Sequence, residues 1–129
     1  MKDDLVRRFA DLLVGFAANV QPGQIVSISS SPGKEDLTRA VADAAYRRGA
    51  KYVDLFWFDS QIKRARIEHA DPSTLDYVPP WYGQRMLALG EHGAARIALT
   101  PRVDPDALRG LNAGRAGLDR LPALKETPR

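Results

Sequence analysis

Cysteine is absent from this 129-residue chain, which excludes disulfide staples, thiolate nucleophiles and cysteine-based zinc sites. Long apolar runs are missing as well. The most hydrophobic stretches, residues 53–58 and 97–100, fall far short of the roughly 20 residues that a membrane helix needs, so no membrane partner is expected. Histidine is scarce, with His69 and His92 the only two, and neither has the strand-end or elbow context that would place a nucleophile beside it. The opening Met1-Lys2-Asp3-Asp4 leads straight into a charged amphipathic pattern without the apolar stretch of a secretion signal, which makes the cytoplasm the default location. A continuous basic stripe is also lacking. The net charge is +3, but the bases fall in scattered pairs (Arg7-Arg8, Arg47-Arg48, Lys63-Arg64) among acids, the pattern of solvated helix faces and not of a nucleic-acid surface.

What is present is one modest core's worth of hydrophobic residues, 44% of the chain. Leu5, Phe9, Leu12, Leu13 and Phe16 recur at helical spacing and predict an amphipathic helix over 3–19 whose apolar stripe must pack on something. Pro22-Gly23 then turns the chain. A short strand follows over 24–30, and a second helix over 34–48 that Gly49 can end in the left-handed conformation. Residues 52–58 are almost continuously apolar, which predicts a strand covered on both faces and central in its sheet. Asp59 can cap a third helix that ends at Asp71-Pro72. A helix over 81–91, a third strand over 94–100, a helical turn over 104–109 and a weak helix over 111–124 complete the reading. Residues 71–81, with three prolines, are the expected mobile loop.

Alternation of helices and strands favours right-handed crossovers and a single three-layer α/β domain over 1–129: a small, open, mainly parallel sheet of about three strands with helices on both faces. The sequence alone does not fix strand order, for which 2-1-3 is the preferred guess. Three strands leave two edges in need of cover.

In open α/β sheets ligands gather beyond the carboxyl ends of the strands, here residues 29–35, 58–61 and 100–104. The Ser29-to-Glu35 turn leads into a helix start whose free amides can take an anion, so a flavodoxin-like small-anion-binding module is an alternative function. The turn lacks the glycine spacing of a phosphate loop, and Pro32 removes an amide, which favours an ordinary strand-to-helix connection. Glu68-His69-Ala70-Asp71 collects three metal-ligand types, but only Glu68 and Asp71 could share a helix face. Both histidines fall near helix carboxyl ends, where a partly charged imidazole is favourable. Asp54, inside the apolar strand, needs a cation or hydrogen bonds if buried; exposure at a sheet edge is the preferred reading. Trp57, Phe58, Trp81 and Tyr82 are expected to pack in a core or an interface. No catalytic, cofactor-binding or metal-ligating residue is assigned.

Taken in order, several segments form a series. They are the first helix leading into Asn19-Val20-Gln21-Pro22-Gly23-Gln24, then Tyr46-Arg47-Arg48-Gly49-Ala50-Lys51-Tyr52-Val53, then Trp57-Phe58-Asp59. Arg66-Ile67-Glu68-His69-Ala70, Pro80-Trp81 and Asp104-Pro105-Asp106-Ala107-Leu108-Arg109-Gly110-Leu111 follow. The series resembles the first third of the thermophilic-type metalloaminopeptidases, the family of aminopeptidases T, S and II. That resemblance implies a parent enzyme that releases amino-terminal residues from peptides with two divalent metal ions, zinc or cobalt, held by a carboxy-terminal catalytic domain. It also implies a homodimer with an enclosed active-site chamber. This chain would then be a scaffold domain without catalytic residues of its own, since none of the ligand positions falls within it.

Overall fold

The computed structural model describes residues 2–99. The helical turn and helix expected over 104–109 and 111–124, and the last segment of the series, lie outside the described residues. Among the described residues the order is α1 (Lys2–Leu12), continued by a π-helical turn (Leu13–Ala17), β1 (Ile25–Ser30), α2 (Glu35–Arg47), β2 (Tyr52–Trp57) and α3 (Ser60–His69). A 3₁₀ turn (Pro72–Thr74), α4 (Pro80–Glu91) and β3 (Ala95–Ala98) complete it. Each element expected within the described residues is present, with boundaries that coincide or differ by one or two residues. Two units can be separated: residues 2–58 with 84–99, and residues 59–83.

The first unit is built on a three-stranded parallel sheet in the order β2-β1-β3. The 2-1-3 arrangement is therefore correct, and the small parallel α/β class with it. Placing β2 at the centre is not. The central strand is β1, whose Ile28 lies in register with Leu55 on one side and Ile97 on the other. Because β2 and β3 both pair with β1, β2 has one strand neighbour among the described residues, and its apolar run is partly a surface feature: Tyr52, Leu55 and Trp57 are 56, 48 and 40% exposed.

Strand alternation sorts β1 into two faces. Val26 and Ile28 join Val41, Ala44 and Ala45 of α2, Ala10 and Val14 from the first helix, Val20 and Ile97 in one core cluster. Fully burying the valines and isoleucines among them contributes about 1.5–3 kcal/mol each. α1 reaches this core through Ala10, with Val14 of the π-helical turn beside it, and Leu13 packs at its margin. The stripe expected to do so, Leu5, Phe9, Leu12 and Phe16, faces away from it and is exposed. The physical reason is size: α1 and α2 meet through alanines and a valine, and the large side chains lie on a different face of the helix.

The second unit begins with Asp59, which caps α3 by accepting from the Gln61 amide at 2.9 Å, as its sequence context predicts. Ile67 and Leu75 are fully buried. Arg66 donates to the carbonyls of Thr74, Leu75 and Tyr77, the second at 2.8 Å, so the stretch read as a mobile loop contains a turn held by a guanidinium. Asp71 accepts from the amide and hydroxyl of Ser73 and caps that turn.

Candidate functional site

The carboxyl end of β1 is the first place to look for a site, and it is closed by its own hydrogen bonds. The Phe58 amide donates to the Ser30 carbonyl and the Leu99 amide to the Ser29 carbonyl, at 2.8 and 2.7 Å. Beneath the following turn the buried hydroxyls of Ser30 and Thr38 lie 2.6 Å apart, and the Thr38 hydroxyl donates to the Lys34 carbonyl at 2.6 Å. A hydroxyl has one proton, so Thr38 spends it on Lys34 and accepts from Ser30. At the mouth of the turn the Gly33 amide donates to the Glu35 carboxylate at 3.0 Å. A carboxylate of the chain thus occupies the place where an anion would bind, which works against the anion-binding alternative.

Asp54 has the cation that burial calls for, on a strand that lies at the sheet edge among the described residues. It is part-buried on β2 and pairs with the Arg85 guanidinium of α4. Arg85 also lies over the Phe56 ring, 5.3 Å from its centroid, because residues two apart on a strand share a face. The pair joins helix to sheet. The need for a cation was readable from a carboxylate in an apolar strand, but its source, 31 residues away, was not.

The remaining candidates resolve locally. His69 ends α3, with its Nε2 3.6 Å from the Glu68 carboxylate, and His92 follows α4. Among the described residues no group of three or more His, Asp or Glu side chains converges as metal ligands must, so these residues do not fit a two-metal centre. Phe58 is buried and Tyr82 half-buried, whereas Trp57 and Trp81 are exposed and do not fill the core. Trp57 ends an edge strand and Trp81 occupies the first turn of α4. A groove of about 210 Å³ is lined by Asp11, Val14, Gly15, Ala44, Arg47 and Arg48. Its cations are engaged. Arg47 bridges Asp43 and Asp11 at 2.8 and 3.0 Å, and these hydrogen bonds, Asp43's first, raise its pKa further above the usual arginine value.

Another set of polar contacts lies at the opposite end of the sheet and joins two segments of the series. The Gly23 amide donates to the Gly49 carbonyl at 2.7 Å and the Lys51 amide to the Gln24 carbonyl at 2.8 Å. Arg48 reaches back to the Val20 carbonyl at 2.8 Å and to Asn19 Oδ1 at 3.3 Å. A Cβ on Gly49 would lie 3.1 Å from Pro22 Cα. These residues lock the turn before β1 to the turn before β2.

Residues 2–122 match the model of the thermophilic metalloprotease (M29) family. The chain belongs to that family. Aminopeptidase AmpS of Bacillus subtilis (strain 168) is 32% identical over 107 residues, which cover 83% of this chain and 26% of that protein. Aminopeptidase T of Thermus thermophilus is 31% identical over 112 residues, covering 87% and 27%. The solved structure of wild-type AmpT from Thermus thermophilus superposes on this M29 chain with a TM-score of 0.76 at 32% identity, covering 93% of this chain and 31% of that one. The matched region thus spans about a quarter of the length of these curated relatives.

Proposed function

We propose that residues 1–129 form one domain, the amino-terminal scaffold of a metal-dependent aminopeptidase that releases amino-terminal residues from peptides. Within that enzyme the domain carries no catalytic group. It serves as a rigid wall beside a carboxy-terminal catalytic domain, in a cytoplasmic homodimer. Zinc or cobalt ions bound in the catalytic domain would polarise the scissile carbonyl and activate water. The residues described here supply packing, edge surfaces and access, not ligands.

The observation that supports this most is the family match over residues 2–122 in a chain whose described residues gather no ligand set. The edge position of β2 among the described residues, with its exposed apolar side chains, supports the scaffold role, since an apolar edge calls for a neighbour. The intact mass of the native protein in its source cells tests the reading. A polypeptide several times larger than 14.2 kDa agrees with it, and a native 14.2 kDa product contradicts the parent enzyme.

A further inference from the structure

The two faces of β1 differ in how their polar groups are served. Val26 and Ile28 belong to the core cluster, so Ser27 and Ser29 stand on the opposite face of the sheet. On that face the strand register sets three side chains at one level: Asp54 of β2, Ser27 of β1 and Arg96 of β3. Neighbouring strands lie about 4.8 Å apart, which leaves the Asp54 and Arg96 backbones about 10 Å from one another with the serine between them.

The carboxylate of this level is already served, because the Arg85 guanidinium reaches it from α4. The other two groups are not. Ser27 is only 8% exposed, yet its hydroxyl has no hydrogen-bond partner among the described residues, a condition that buried hydroxyls rarely keep. Arg96 is exposed and makes no ion pair or hydrogen bond among the described residues. One carboxylate stands against two guanidinium groups, which leaves a single positive charge beside an unused donor.

An unused hydroxyl proton and an unused guanidinium ask for the same thing, an acceptor that carries one negative charge. A carboxylate satisfies both, with one oxygen accepting from Ser27 while the planar guanidinium forks onto the group. Two residues on, half-buried Ser29 is in register with Ala98, which is short and exposed, so no large side chain of β3 stands at that level.

We propose that Ser27 and Arg96 form a binding site for a single carboxylate, on the face of the sheet opposite the core cluster. The site is separate from the turn that Glu35 closes, and it does not depend on the aminopeptidase reading.

Sodium acetate is the probe, with sodium chloride at equal ionic strength as the reference. In NMR spectra of the nitrogen-labelled 129-residue chain, acetate is expected to shift the Ser27 and Arg96 signals along a saturable curve that chloride does not reproduce. Ser27→Ala and Arg96→Gln should each weaken that binding at least about fivefold. Arg39→Gln, which changes an exposed arginine paired to Asp36, should leave it unaltered. Shifts that never saturate, or that chloride matches, overturn the proposal. A folded Ser27→Ala chain that binds acetate as tightly as the wild type assigns the buried hydroxyl to a water molecule and overturns it as well. Repeating the titration on the native polypeptide separates the sources of the carboxylate. A response there means a free molecule, and a response confined to the 129-residue chain means an acidic side chain supplied by the rest of the polypeptide.

Discussion

Gly49 packs its backbone against Pro22 so closely that the missing side chain is what permits the contact: a Cβ would lie 3.1 Å from Pro22 Cα, at a φ of 94°. The same glycine accepts the Gly23 amide at 2.7 Å. One residue therefore ends α2, turns the chain in the left-handed region and seats the preceding turn against it. The segments that give the sequence its family resemblance at this end of the sheet are joints of the fold.

Gly49→Ala is expected to destabilise the chain by about 2–3 kcal/mol, combining left-handed strain with displacement of Pro22. Gly33→Ala has the same φ of 94° but open space around it, so its cost should stay near 1 kcal/mol. Urea denaturation of the two variants checks the difference. Equal losses would mean that the contact with Pro22 contributes nothing.

Asp54→Ala should cost about 1–3 kcal/mol, because it leaves the part-buried Arg85 guanidinium without its carboxylate. Asp36→Ala removes an exposed partner of Arg39 at 3.8 Å and should change stability by less than about 0.5 kcal/mol. In a double-mutant cycle, Asp54→Ala and Arg85→Ala should couple by at least about 0.5 kcal/mol. Additive losses would show that the two side chains act independently.

Thr38→Val preserves shape but deprives the buried Ser30 hydroxyl of its acceptor, so a loss of about 1–3 kcal/mol is expected. Adding Ser30→Ala should recover part of that loss, since no orphaned hydroxyl remains. Thermal unfolding of the single and double variants decides it, and a double variant less stable than Thr38→Val alone would contradict the assigned direction of the bond.

Most of the fold was legible because its signals are local. The Asp59 cap, the Gly49 stop and the Pro22-Gly23 turn each act within a few residues, and the structure reproduces all three. Neighbour relations were harder to read. Apolar content predicted a central place for β2, yet an apolar strand at an edge has the same composition as a buried one when another body is meant to cover it. The stripe of α1 misled for the same reason: periodicity reports that a face is apolar, not which partner covers it. Asp54 required a cation that only the folded chain identifies as Arg85. What weighs against anion binding at the turn is one side chain, Glu35, whose reach back to the Gly33 amide depends on the local backbone path and not on a motif.

In the proposed function this M29 domain shapes an aminopeptidase without performing its chemistry. Incubating the purified 129-residue chain with a chromogenic leucine substrate and added zinc or cobalt tests it most directly. The predicted result is no release of product above the metal-only blank. Metal-dependent release that scales with protein concentration and stops on chelation would contradict the claim and place a catalytic site within these residues.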